Sequence, residues 1–288
     1  MKSHRHIIII ATAASVMFCA SCTPTDPRTE LKKSNELMKL KQFDNALPGT
    51  RVCLDMNRDN VDAIVANAIC VYNVLNRDPN ECKNAKLNLM RATSTLAPER
   101  FDALYVYAWI LMQDEDYSNA LKIARRARDI YRAQQNQSIP KEEFCDTWDM
   151  KLAQRNMQYA NLLLMIADIC RHNGLAEGLP FFEVVLTIPA FAELPEVYIA
   201  YSQLFMTEQR TTEAYRVISK AMKKFPNDLA CAYNLALLDE YRRSGVSKQS
   251  DAMKKVIEKY DRAMRMARQY GDDALANRIA SRIALLRR

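Results

Sequence analysis

Side chains able to do chemistry are sparse in this 288-residue chain. Four acids, Glu142, Glu143, Asp146 and Asp149, cluster in one short stretch. Paired carboxylates can share a proton in hydrolysis or hold a metal. At a helix start, acids also serve simply as partners of the helix dipole. Asp55, Asn57 and Asp59 alternate like the first oxygen ligands of a calcium loop. The sixth position, however, is Asn60 where the turn needs Gly, and the twelfth is Ala66 where a bidentate Glu is needed. Beyond the first six residues the chain has one histidine, His172, beside Gly174. A single imidazole at a helix end reads as a cation facing the dipole, and it cannot build a multi-histidine metal site. There is no phosphate loop and no dinucleotide fingerprint. We therefore expect no enzyme activity, no metal and no cofactor. The enzymatic alternative is a hydrolase with its acidic site near 142–149.

The elements that must position any site are helices. The five glycines, Gly49, Gly174, Gly178, Gly245 and Gly271, all fall at turns or near helix starts. Between them run long stretches rich in Ala, Leu, Met, Arg, Lys and Glu, which suit helices. No run alternates long enough for a sheet. Loose copies of one helix pair recur, clearest in Phe101–Arg132 and Pro195–Pro226. Each second helix opens on a small residue: Ala46, Ala85, Ala120, Gly178, Ala214 and Ala252. Pro48 and Pro180 each follow that residue by two, in a first turn where the missing N–H costs least. The spacing is 39 and 35 residues, then 58 from Ala120 to Gly178. The polar run Gln134–Ser138 lies in that longer gap.

The aromatic at the turn, the alanines and the trailing proline (Tyr117, Ala120 and Ala127; Ala214, Ala221 and Pro226) resemble tetratricopeptide repeats over most of residues 30–270. The resemblance implies an all-α, right-handed superhelical solenoid of about six helix pairs with a C-terminal capping helix. Repeats 1–3 are expected over 31–134, a linker over 135–145, repeats 4–6 over 146–270 and the cap over 271–288. In such solenoids the first helices line a concave surface that takes peptides or partner helices. The matching positions are Val65, Ile69 and Tyr72; Tyr105, Trp109 and Met112; Ile199, Gln203 and Met206; and Tyr233 and Leu237. The Lys and Asn set that clamps a C-terminal carboxylate in co-chaperone relatives is absent from these positions.

Residues 1–21 read as a leader: Lys2 and Arg5, then the mostly apolar Ile7–Ala20. Cys19-Ala20-Ser21-Cys22 resembles the bacterial lipobox in the relaxed form of Bacteroidota lipoproteins, implying lipidation of Cys22 and export. Residues 22–30, with Pro24 and Pro27, read as a tether. Cys53, Cys70, Cys82, Cys145, Cys170 and Cys231 remain. Most sit at apolar helix positions and read as small core residues, although an even count in an exported protein also permits disulfides. Residues 242–288 hold 13 Lys and Arg against 5 Asp and Glu. Asp251–Lys255, Glu258–Arg262 and Asp261–Arg265 are spaced to stabilise an exposed helix. This basic end also fits an anionic membrane surface or an acidic partner; an exported protein has no nucleic-acid partner to meet.

The expected protein is an outer-membrane lipoprotein scaffold that binds another envelope protein, in overall plan like helical-repeat lipoproteins of assembly or secretion machines. A SusD-like glycan-binding lipoprotein is the other reading, although such proteins carry large insertions that this chain lacks room for. Replacing Cys22 with Ala should move the protein from the membrane to the soluble fraction on cell fractionation. Unchanged sedimentation with membranes would reject the anchor.

Overall fold

The structure, a computed structural model, describes residues 26–135, 147–248 and 250–287. The leader, Cys22, Cys145 and three of the clustered acids, Glu142, Glu143 and Asp146, lie outside these residues. Every regular element described is helical. The first three pairs are α1 (Pro27–Lys39) with α2 (Phe43–Met56), α3 (Val61–Asn73) with α4 (Pro79–Arg91), and α5 (Phe101–Gln113) with α6 (Tyr117–Gln134). A π-helical turn, Ala92–Leu96, prolongs α4. α7 (Thr147–Arg155) precedes α8 (Met157–Asn173), the first helix of the fourth pair. Its second helix is a 3₁₀ turn, Ala176–Gly178, running into the short α9 (Leu179–Val185). After α10 (Pro189–Ala192) come α11 (Pro195–Thr207) with α12 (Thr211–Lys224), α13 (Leu229–Arg242) with α14 (Asp251–Gln269), and the cap α15 (Asp273–Arg287). None of these helices is long and apolar enough to cross a membrane.

The chain ends and starts its helices by two recurring devices. At five turns a residue with positive φ reverses the chain: Lys41, Glu115, Gly174, Gln209 and Gly271. In each, the next N–H reaches five residues back, as from Gln42 to Leu37 O and from Asp116 to Leu111 O, both at 2.9 Å. This closes otherwise orphaned carbonyls. Starts are capped by short polar side chains. Asn60 accepts from Ala63 N, Asp228 from Cys231 N and Asp272 from Leu275 N. Asp26 caps α1 and Pro27 takes its first position, so the helix begins inside the stretch expected as tether. Between Thr147 and Asn173 the chain forms two helices, α7 and α8, rather than one. Asn156 separates them, its Oδ1 accepting from Gln158 N at 2.9 Å.

Successive first helices pack on one another in series, α1, α3, α5, α8, α11 and α13. Successive second helices meet through long side chains, such as the Arg51–Glu81 pair between α2 and α4. The first helices therefore form the inside of the curve. The core continues across residues 136–146, because α5 and α6 share one apolar cluster with α8, α9 and α11.

Ala46, Ala85, Ala120 and Ala214 are all buried, as their alignment requires. Ala252 is only half-buried; Val256, one turn later, is fully buried instead. The longer turn before α14 shifts its register by about one turn. Gly178 marks a close crossing: a Cβ there would lie 2.6 Å from Cys170 Cβ and 2.9 Å from Leu204 Cδ2. A Cβ is rooted to its backbone and cannot rotate away. Gly178→Ala should therefore cost about 1–3 kcal/mol. Glu115→Gly, which relieves a left-handed backbone, should instead stabilise by up to about 1 kcal/mol. Urea midpoints at unchanged slope measure both, and a neutral Gly178→Ala would remove the close-packing argument.

Candidate binding groove

Three first helices, α5, α8 and α11, enclose a groove of about 480 Å³ on the inner face. Tyr105, Trp109 and Met112 stand four and three residues apart on α5 and so share a face. Asn161, Leu164, Asp168 and Arg171 form the matching stripe of α8. Glu196, Ile199, Ala200 and Gln203 come from α11, and the buried Met165 and Val197 form part of the floor. The groove is apolar in the middle and polar at its ends. Its volume falls in the range that takes a side-chain cluster or small ligand.

Trp109 is braced from behind. Its ring meets Tyr72 edge-on, with centroids 6.1 Å apart. The Tyr72 hydroxyl donates to Asp114 at 3.2 Å, and Lys86 pairs with the same carboxylate at 2.5 Å. Burial, with Asp114 nearby, pushes the Tyr72 phenol far above its ordinary range, so it stays a donor. Tyr105, Tyr107 and Trp109 pack against both the front and the middle core, which makes α5 the joint between them.

One end of the groove is organised by Arg171. Its Nε donates to Asp168 Oδ1 at 2.8 Å and its Nη1 to Gln203 Oε1 at 3.2 Å. Its Nη2 lies 2.7 Å from His172 Nε2. His172 in turn stacks flat on Tyr117, with centroids 4.3 Å apart and planes 8° from parallel. Burial, then the Arg171 charge, hold the His172 pKa below its ordinary value. The residue expected as a helix-end cation is therefore a neutral ring at neutral pH, accepting from Arg171.

The sequence-derived groove positions divide. Tyr105, Trp109, Met112, Ile199 and Gln203 come together in this groove. Val65 and Tyr72 are buried in the front core. Ile69 borders a separate hollow formed with α1. Met206 packs against the middle core, and Tyr233 lies on α13 with its ring 6.3 Å from Tyr260. Leu237, also on α13, is half-buried. The whole α8 stripe was missed, because the interrupted period hid the fourth first helix. Counting back from Gly178, as from Ala120 to Tyr105–Met112, gives Leu163, Ala167 and Cys170, the buried side of α8, so the offset finds the helix but not its groove face.

Of the clustered acids, Asp149 is described, and it is fully buried. Arg132 Nε donates to it at 2.8 Å, and the Tyr159 hydroxyl donates to the same oxygen. Burial raises its pKa against the pull of Tyr159 and Arg132. This is an internal staple between α6, α7 and α8. The Asp55–Asp59 stretch is the α2–α3 turn, with Asn57 accepting from Asp59 N and Asp59 paired to Arg91. Cys53, Cys70, Cys170 and Cys231 are buried free thiols, and Cys82 is half-buried. Burial raises Cys70 and Cys231 to about 12, as unreactive core residues require.

No protein-family model matches the sequence, and no curated protein matches it. Solved structures do. PilF of Pseudomonas aeruginosa superposes with a TM-score of 0.58 at 12% identity, covering 89% of this chain and 97% of its own. The C-terminal part of a TPR repeat-containing protein from Cytophaga hutchinsonii gives 0.58 at 12% identity, covering 89% and 95%. YrrB, described as a TPR protein with an unusual peptide-binding site, gives 0.55 at 14% identity, covering 81% and 97%. At such identities the likeness establishes the fold, a tetratricopeptide solenoid.

The lowered pKa of His172 has a signed consequence. Well above pH 6.5, the ordinary value, neither folded nor unfolded chain protonates the ring, and its contribution is complete. Below that, the unfolded chain takes up protons first, and stability falls until the pH passes the folded value. His172→Phe, which keeps a ring on Tyr117, should flatten the stability loss between about pH 7 and pH 5. Parallel pH profiles by urea unfolding would remove His172 as the source.

Proposed function

We propose that this protein is an exported, lipid-anchored scaffold that binds another cell-envelope protein, within an assembly or secretion complex, through the α5–α8–α11 groove. The single observation carrying this reading is the half-exposed aromatic wall of Tyr105 and Trp109 facing Leu164 and Ile199 across an open concavity. Aromatic and methionine side chains bury much area with adaptable packing, which suits recognition of an apolar peptide or helix face. The polar ends, Asn161 and Glu196 at one side and Asp168, Arg171 and Gln203 at the other, would fix its register. YrrB, of the same fold, is described with a peptide-binding site. The address outside the cytoplasm, at the outer membrane, rests on the leader and on Cys19–Cys22 in the sequence. Binding here is non-covalent, and none of the groove residues is assigned a catalytic step.

Crosslinking in intact cells, followed by recovery of the protein and identification of its partners, tests this reading. Tyr105→Ala with Trp109→Ala should strip the main partner from the recovered set. Because both rings also touch the core, Leu164→Arg serves as an independent block, projecting a charged side chain into the groove from its floor. A partner set unchanged by either variant, with each still folded by circular dichroism, would sink the groove assignment.

A further inference from the structure

We propose that the outer face of the solenoid, centred on α12 and α14, docks onto a membrane surface rich in anionic phospholipid. From the second pair onward, charge is segregated between the two faces; the first pair runs the other way, α1 with 4 Lys and Arg against 2 acids and α2 with 1 against 2. From α3 to α13 the first helices α3, α5, α8, α11 and α13 carry 2 Lys and Arg against 6 Asp and Glu. The second helices α4, α6, α9, α12 and α14 carry 18 against 7. Packing alone does not require this, since any solvated face would tolerate mixed signs.

The C-terminal basic excess is not all outward. Asp239 is fully buried and gathers Arg242 and Arg243, each at 2.9 Å, together with Lys259. Arg282 is held by Glu240. What remains outside is a row on two neighbouring ridges, Arg216, Lys220 and Lys223 on α12 and Lys255, Arg265 and Arg268 on α14, with one exposed unpaired acid, Glu258, beside them. All six cations are exposed, and none forms a salt bridge among the described residues. The ridges are tied side by side, Lys259 Nζ donating to Tyr215 Oη at 3.2 Å and Arg262 Nη2 to Pro226 O at 2.7 Å. Two adjacent ridges form a patch that a plane can meet even though the whole solenoid curves.

The chemistry favours lipid headgroups. The cations are spread along two helix faces, which matches a diffuse negative surface better than one bound anion. Tyr270, 56% exposed at the end of α14, adds an amphipathic ring, and such rings favour the boundary between headgroups and acyl chains. The face lacks the interleaved aromatic platform on which single-stranded nucleic acid stacks. This inference does not rest on the groove.

The test uses the full chain carrying Cys22→Ala, with vesicles of phosphatidylcholine alone or mixed with phosphatidylglycerol. The leader carries Lys2 and Arg5 and itself favours anionic headgroups, so the charged face is read by comparing the parent with its face variants on the same phosphatidylglycerol vesicles. Binding should be stronger on the phosphatidylglycerol vesicles and should fade as salt shortens the Debye length from about 10 Å at 0.1 M to about 3 Å at 1 M. Lys220→Glu, Lys223→Glu, Arg265→Glu and Arg268→Glu together should weaken it by at least about tenfold. The same four positions as Gln, a milder set, should weaken it less while leaving the thermal midpoint of the parent. Tyr105→Ala with Trp109→Ala should bind vesicles as the parent does, which separates this inference from the groove reading. Equal binding to both vesicles, or indifference to all four substitutions, overturns the proposal. So does binding to duplex DNA with the vesicles ignored, which would assign the face to nucleic acid.

Discussion

The rest of the structure depends on how closely the two helices of each pair approach at their small residues. Ala46, Ala85, Ala120 and Ala214 are buried against partner helices, and at Gly178 even a methyl group would collide with Cys170 Cβ. Close approach inside a pair leaves the large side chains to fill the space between pairs. First helices then touch their successors closely, while second helices stand farther apart and meet through long side chains. The curvature follows from that difference. So do the two faces: an inner one lined by Tyr105, Trp109 and Leu164, and an outer one crowned by lysine and arginine.

Buried charge supports the frame where apolar packing is interrupted. Asp149 of α7 has no solvent contact, yet Arg132 of α6 and Tyr159 of α8 both donate to it. Removing one member of such a set commonly costs about 3–5 kcal/mol, because a desolvated charge is left behind. The set thus fixes where α7 sits after the chain leaves α6. Asp239 does the same at the back. Burial raises its pKa, but hydrogen bonds from Lys259 and Arg243 outweigh this and hold it below the ordinary carboxylate value. Its contribution is therefore present at neutral pH and is lost as the pH falls through that lowered value. Both sets consume charge that would otherwise count toward the surface.

The helical class, the pairing and the alanine register were legible because each is local. A buried small residue recurring at a fixed offset from a turn needs no tertiary information. The groove was half legible. Its α5 and α11 walls follow from the register that the tetratricopeptide resemblance implies, but its α8 side lies in the copy where the period stretches to 58 residues. The neutrality of His172 was not legible, since its first cause is burial in the folded chain, where Tyr117, 55 positions away, stacks on the ring; the neighbouring Arg171 charge comes second. The charge pairs of α14 were misread for a related reason. Asp251 pairs with Lys254 rather than Lys255, Asp261 with Arg287, and Arg262 reaches Pro226 O instead of Glu258. Helical spacing offers several partners within a turn, and tertiary acceptors from neighbouring elements decide among them.

That the groove opens at the irregular fourth pair has a physical reason. Elsewhere a second helix of full length, such as the 14-residue α12, fills the wedge between successive first helices. Between α8 and α11 that place is taken by a 3₁₀ turn and the seven-residue α9. A shorter wedge cannot spread the outer side as evenly, so α8 and α11 are set by what Gly178 and its neighbours allow. Gly178 touches both, lying within 3 Å of Cys170 on α8 and Leu204 on α11 when a Cβ is added. Places where a repeat departs from its own rule are where function is expected to have been favoured over regularity. Here the departure leaves Leu164, Ile199 and Trp109 partly exposed around one concavity, and the glycine that looks like a defect in the alanine series holds two of its three walls.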